Sequence, residues 1–245
     1  AGTVTASTAA SFADAKTMAA WSKPVVFNIN DSASNLTSDT TSAGNAARNE
    51  AVNITVSSGT VTVAGATTID NATNSGTNSY TISDTPANLI ASTDAFLGKA
   101  TKVVSSVPTL EQATTLSGRS TPWSIADTAA NLVASSEAVL SQAPLGVTAS
   151  TAASVAAATT LAGFSAPITF NISDTPANLI TSSDAVLGEA VTVTASGSAT
   201  AEQANTLAGF NKAVVYSLSD TAAAISGATA AARTEAVNIS ASGTV

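Results

Sequence analysis

One short motif, aromatic-x-[Ile/Leu]-x-Asp, recurs five times along this chain, and that recurrence restricts the fold more than any other feature. It reads Phe27-Asn-Ile29-Asn-Asp31, Tyr80-Thr-Ile82-Ser-Asp84, Trp123-Ser-Ile125-Ala-Asp127, Phe170-Asn-Ile172-Ser-Asp174 and Tyr216-Ser-Leu218-Ser-Asp220. Successive Asp lie 53, 43, 47 and 46 residues apart. Four residues beyond the first four Asp stand Asn35, Asn88, Asn131 and Asn178, and Ala224 takes that place in the last copy. An aliphatic follows each time: Leu36, Leu89, Leu132, Leu179 and Ile225.

A Val-Thr-Ala-Ser type segment alternates with the first motif, at Val4–Ser7, Thr55–Ser58, Val103–Ser106, Val147–Ser150, Val193–Ser196 and Ile239–Ser242. The unit is thus about 46 residues, made of two halves of 22 to 24. Each half reads as strand then helix. Val25, Phe27 and Ile29 alternate with Val26, Asn28 and Asn30, the period-2 pattern of a strand with one buried face. A strand-helix half of this length cannot bury its own apolar face, whereas stacked copies bury a continuous one. The expected fold is therefore α/β, a repeat solenoid of strand-helix coils with a stacked parallel sheet. A coil of 46 residues holding two strands and two helices is the other geometry. One domain over 1–245 is expected, with units 1–51, 52–101 (carrying an insertion at 57–78), 102–145, 146–190 and 191–235, and a partial unit 236–245.

Composition removes whole classes of chemistry. The 245 residues include no His and no Cys, so a Ser-His-Asp triad, a Cys nucleophile, a structural zinc site and disulfides are excluded. Lys and Arg number 8 against 16 Asp and Glu, and this balance argues against nucleic acid and anionic lipid as partners. No two Gly are adjacent or separated by one residue, which removes the dinucleotide and P-loop fingerprints. The most apolar stretch, 152–168, is broken by polar residues, Gly and Pro, and predicts no membrane span. The start at Ala1 shows no basic and apolar leader, so no signal peptide is expected on this segment. Both ends fall inside strand motifs, Gly2–Ser7 and Val237–Val245, without a polar capping repeat. The expectation is a slice of a longer array or a unit that stacks end to end.

Each motif Asp reads as a helix N-cap, most clearly in Asp84-Thr-Pro86 and Asp174-Thr-Pro176. Gly98, Gly163, Gly188 and Gly209 fall where left-handed C-caps are expected. The alternative use of Asp31, Asp84, Asp127, Asp174 and Asp220 is as oxygen ligands to Ca²⁺. Capping is preferred, since five bare carboxylates in a row repel while capping ones are held in local hydrogen bonds. No metal or other cofactor is therefore expected. The Asn column is expected to bond neighbouring coils or loop backbone, and the aromatic column to pack in the core. Carboxylates such as Glu111/Glu137 and Asp184/Glu189 do not recur as pairs, so no acid-base site is assigned.

The outward hydroxyls form the remaining candidate surface: Thr5, Ser7, Thr55, Ser57, Thr148, Ser150, Thr194, Ser196, Ser240 and Ser242. A regular, weakly charged hydroxyl face suits ice or a glycan. The preferred reading is that it simply keeps a sheet face wet.

The segments Ile82–Leu89, Ile125–Leu132 and Ile172–Leu179, of the form Ile-Ser-Asp-Thr-Pro/Ala-Ala-Asn-Leu, resemble repeats of very large bacterial surface proteins, both adhesin-like and surface-layer-like. The resemblance implies an extracellular, architectural role and brings no catalytic residues with it. The reading is a non-enzymatic structural repeat whose partners are copies of itself or further repeats of the same chain. A module whose hydroxyl face binds ice or a cell-surface glycan is the alternative.

Overall fold

The computed structural model describes residues 3–242, so the parts of the expected end strands at 1–2 and 243–245 lie outside the described residues. The fold is α/β: among the described residues, fifteen short helices alternate with four sheets whose recorded strand pairs are all parallel. No helix there is long and apolar enough to cross a membrane. The chain divides into two compact units, 1–124 with 142–145, and 125–141 with 146–245.

The first unit runs β1 (Val4–Thr5), α1 (Phe12–Ala19), β2 (Val25–Val26), β3 (Ile29–Ser32), α2 (Ala33–Ser38), α3 (Ser42–Glu50), β4 (Ile54–Ser58) and α4 (Val63–Asp70). It continues through β5 (Asn78–Ser79), β6 (Thr81–Asp84), α5 (Pro86–Ala91), α6 (Asp94–Leu97), β7 (Lys102–Ser105) and α7 (Leu110–Ser117) to the start of β8 (Trp123–Asp127). Val4 pairs with Val25, Ile29 with Ile54, Ile54 with Asn78 and Ile82 with Val103, so each partner lies 21 to 25 residues further on. The stretch 57–78, expected as an insertion, holds the end of β4, all of α4 and the start of β5; α4 buries Ala66 and Ile69 as other helices bury their apolar residues.

From Ile125 the second unit contains α8 (Ala129–Val133), α9 (Glu137–Leu140), β9 (Val147–Ala149), α10 (Val155–Ala162), β10 (Ile168–Thr169), β11 (Ile172–Asp174) and α11 (Pro176–Leu179). It ends with α12 (Asp184–Glu189), β12 (Val193–Ala199), α13 (Ala201–Leu207), β13 (Val214–Thr221), α14 (Ala222–Gly227), α15 (Ala230–Glu235) and β14 (Asn238–Ser242). Ile125 pairs with Val147, Ile172 with Val193, Val193 with Val214 and Leu218 with Ile239.

Within each unit these pairings line up the buried positions. Ile29, Ile54, Ile82 and Val103 of the first unit, and Ile125, Val147, Ile172, Val193 and Leu218 of the second, are all buried. So are Phe27, Tyr80, Trp123, Phe170 and Tyr216, which places the aromatic column in the core. The helices are four to nine residues long, too short to persist alone in water. Packing on the sheet and caps at their first turns hold them. All fifteen N-caps are Ser or Thr, and all but Ser136 of α9 accept a backbone N–H on the hydroxyl. Much of the chain's Ser and Thr content therefore has a local structural task.

Two expectations change. The caps of α2, α5, α8, α11 and α14 are Ser32, Thr85, Thr128, Thr175 and Thr221, each one residue beyond the motif Asp. A hydroxyl at that position meets the third amide of the helix, which frees the longer Asp for a different bond. Gly98, Gly163, Gly188 and Gly209 are not left-handed; among the described residues only Gly59, Gly146 and Gly197 have positive φ. The helices ending at Gly98 and Gly163 close with an ordinary right-handed turn whose N–H bonds back to Asp94 and Thr160.

Candidate functional site

Each motif Asp sits at the junction of a strand and the helix that follows. Its Oδ1 accepts the next backbone N–H and, in the first four copies, the side-chain amide four residues on. Asp31 takes Ser32 N at 2.7 Å and Asn35 Nδ2 at 2.8 Å, and Asp84 takes Thr85 N at 2.7 Å and Asn88 Nδ2 at 2.8 Å. Asp127 with Thr128 and Asn131, and Asp174 with Thr175 and Asn178, repeat the arrangement. The Asn column thus bonds within its own turn rather than to a neighbouring coil.

The second oxygen reaches back along the chain. Oδ2 of Asp31, Asp84, Asp174 and Asp220 accepts the N–H of Phe12, Val63, Val155 and Ala201, at 2.8, 2.8, 2.9 and 3.0 Å. Those four residues are the first of α1, α4, α10 and α13, whose amides have no partner inside their own helix. One carboxylate therefore closes its own turn and caps the helix 19 to 21 residues upstream. The helix dipole adds to the attraction.

These contacts set the charge state of the column. Burial alone raises the carboxyl pKa of Asp31 and Asp174. The bonds from Phe12, Asn35 and Ser32 on the one, and from Val155, Asn178 and Thr175 on the other, outweigh it and hold both below the usual aspartate range. At Asp220 the amides of Ala201 and Thr221 do the same against burial. A carboxylate already accepting three N–H groups has little left to offer a cation. Among the described residues no three acidic side chains gather into a group able to hold a metal ion.

A second acidic column was not singled out from the sequence. Asp94, Glu137 and Asp184 are the first residues of α6, α9 and α12. Asp94 accepts Arg119 Nη1 at 2.9 Å and the Ser120 N–H at 3.3 Å. Glu137 accepts the N–H groups of Ser165 and Ala166 at 2.8 and 2.9 Å, and Asp184 takes Asn211 N at 2.9 Å. The signal was present as Ser/Thr-Asp/Glu-Ala-Phe/Val-Leu at 93–97, 136–140 and 183–187. Amide ladders add to this bonding. Asn28 Oδ1 accepts from Asn53, Asn53 Oδ1 from Thr77, and Asn171 Oδ1 from Thr192.

Three arginines serve the opposite helix ends. Arg48, only 1% exposed, donates to the Leu36 and Asp39 carbonyls and to Asn45 Oδ1. Arg119 donates to the carbonyls of Ile90 and Ser92, and Arg233 to those of Ile225, Ser226 and Ala228. Each cation meets the carbonyl-rich end of a short helix, where the dipole favours it.

The hydroxyl face is less uniform than its sequence. Thr5, Ser7, Ser57, Thr148, Ser150, Ser196, Ser240 and Ser242 are exposed, and Thr55 and Thr194 are half-buried. Thr148 pairs with Thr169, and Ser219 with Ser240, as neighbours on parallel strands. Ser105 and Ser124, by contrast, are buried. Register shifts at Asp31/Ser32 and Thr194/Ser198 interrupt the rows.

No family model matches the chain, and neither the curated proteins nor the solved structures contain a significant match to it. The class defined by the coordinates is an α/β protein of parallel strand pairs tied together by recurring carboxylates.

Proposed function

We propose that this chain is a repeat solenoid with a non-enzymatic, architectural role, a segment of a bacterial surface layer, surface filament or adhesin stalk. The observation that carries the reading is the bond from Asp Oδ2 to the first amide of an earlier helix, repeated at Asp31, Asp84, Asp174 and Asp220. The most regular chemical groups in the sequence hold one coil to the next. Such bonding is modular: a further coil, from the same chain or a second copy, is accepted by the same contacts. End-to-end self-association and an extracellular location belong to this proposal, and the motif's resemblance to bacterial surface repeats supports both. So does the low charged fraction of 10%, which suits dense packing against copies. Negative-stain electron microscopy of the purified protein, with calcium and then with chelator, tests it. Filaments or sheets that persist in chelator are expected. Discrete particles at all concentrations refute self-association, and assemblies lost in chelator refute the capping assignment of the Asp column.

The paired hydroxyls Thr148/Thr169, both exposed, and Ser219/Ser240, the first half-buried and the second exposed, favour a second reading, a face that binds ice or a glycan. Parallel neighbours repeat about every 4.8 Å, a spacing a crystalline surface can match. Inhibition of ice recrystallisation by the protein, lost on Thr148→Asp, is the outcome this reading requires.

A further inference from the structure

The coil containing Trp123 departs from its counterparts at one place, in several ways at once. In three of the other four copies an aromatic precedes the motif aromatic by six residues, Trp21 before Phe27, Phe164 before Phe170 and Phe210 before Tyr216, while the Tyr80 copy has Asn74 there. Here the preceding position, after Gly118, is Arg119, and only four residues separate it from Trp123. The segment is two residues shorter and has lost its corner aromatic. A cleft of about 430 Å³ lies there, lined on its apolar side by Pro122 and Pro144 and on its polar side by Ser120, Thr121 and Gln142. A neighbouring cleft of about 410 Å³ shares Ser120, Thr121 and Pro122 with it.

Both Trp123 and Arg119 line the first cleft, and both carry a buried donor without an acceptor: the indole Nε1 and the guanidinium Nε. Trp123 is 2% exposed. The other polar members of the aromatic column are satisfied, since Tyr80 donates to Asp70 Oδ2 at 2.7 Å and Tyr216 to the Ala232 carbonyl at 2.9 Å. The remaining members are Phe, so packing alone does not require an N–H at this position. Buried donors left unpaired are rare in folded proteins, and two lining one cleft are met by an acceptor that enters it, water or ligand.

We infer that the cleft beside Trp123 and Arg119 binds a neutral saccharide, one of whose oxygens accepts from the indole N–H and another from the guanidinium. Electrostatics selects a neutral ligand over an anion. The Arg119 charge is already matched by Asp94 at 2.9 Å, and the chain carries a net charge of −8. A small polyol with apolar ring faces fits a wall of proline edged by hydroxyls and an amide, with the buried indole behind it. The volume suits one or two sugar rings. Because Nε1 is buried, binding moves the lining residues outward far enough to admit one oxygen. This site is independent of coil stacking, and the microscopy above does not bear on it.

Isothermal titration of the whole chain with maltose, cellobiose and N,N′-diacetylchitobiose, with sodium acetate as the anionic probe, tests the assignment. At least one disaccharide binds saturably and acetate does not. Trp123→Phe keeps the ring and matches the Phe found at Phe27 and Phe170; it weakens binding tenfold or more while the far-ultraviolet spectrum is unchanged. In the Trp21→Phe variant Trp123 is the sole tryptophan, and its emission shifts on saccharide addition. Absence of saturable heat or emission change with all three disaccharides at concentrations on the order of 10 mM overturns the proposal. So does tight acetate binding, or undiminished affinity in Trp123→Phe.

Discussion

Replacing Asp174 tests whether the carboxylate column holds coils together. Its oxygens accept Val155 N at 2.9 Å, Thr175 N at 2.8 Å and Asn178 Nδ2 at 2.7 Å. A hydrogen bond to a charged group contributes roughly 1.5–3 kcal/mol, and three sharing one half-exposed carboxylate do not add fully. Asp174→Ala is therefore expected to cost about 3 kcal/mol in urea unfolding followed by circular dichroism. Asp174→Asn keeps one acceptor and should cost about half as much. The long-range part can be isolated because Val155 is the first residue of α10, where proline is tolerated. The preceding Ser154 (φ −68, ψ 166) already has the extended backbone that a following proline demands. Val155→Pro deletes the donor amide, and its change of side chain is common to both arms of the cycle, so Asp174→Ala should cost about 1–1.5 kcal/mol less in that background. A coupling below about 0.5 kcal/mol would falsify the assignment of Asp174 as a link between coils, since that is the error of such cycles.

Three further outcomes follow from the same contacts. Asp31, Asp174 and Asp220 have carboxyl pKa values below their unfolded value of 3.8, so their contribution is complete above that pH and is lost as pH falls through the folded values; acid titration should leave the fold intact to about pH 4 and destabilise it below. Gly76→Ala sets a Cβ 2.5 Å from the Val52 carbonyl and against Asn53 Oδ1, and should cost about 1–3 kcal/mol by chemical denaturation, where a neutral result would mean that the turn yields freely. Arg48→Met strands the Leu36 and Asp39 carbonyls and Asn45 Oδ1, with an expected loss of about 3 kcal/mol that Arg48→Lys does not restore, because an ammonium lacks the planar fork; full rescue by Lys would refute the role given to its geometry.

The strands were legible because their pattern is local. Period-2 alternation through Val25, Phe27 and Ile29 identified the buried face, and the recurrence of the motif anticipated parallel pairing between successive copies. The stretch 57–78, expected as an insertion, nevertheless folds into α4 and the start of β5, which carry neither the motif aromatic nor the motif Asp. A short helix here needs only a capping hydroxyl, Thr62 in α4, and a few small buried residues such as Ala66. The second partner of each Asp was illegible for a different reason. Capping one's own turn and capping a helix some twenty residues upstream use the same side chain, and local spacing speaks only to the first.

Proline placement nevertheless carries a trace of that longer bond. Pro86 and Pro176 occupy the first turn of α5 and α11, directly after a motif Asp and its capping Thr. Phe12, Val63, Val155 and Ala201 occupy the first position of the helices that receive an Asp from downstream, and none of them is proline. A proline is harmless where the first amide has no assigned acceptor and would delete the bond where an Asp arrives. The alternation of helices that admit proline with helices that keep their N–H thus mirrors the direction of bonding: Asp31, Asp84, Asp174 and Asp220 each close the turn before one helix and anchor an earlier one. In urea unfolding, proline placed at Val63 should destabilise the fold through the lost Asp84 bond, whereas Pro86→Ala removes no hydrogen bond and should cost only the packing of its buried ring and the freer unfolded chain.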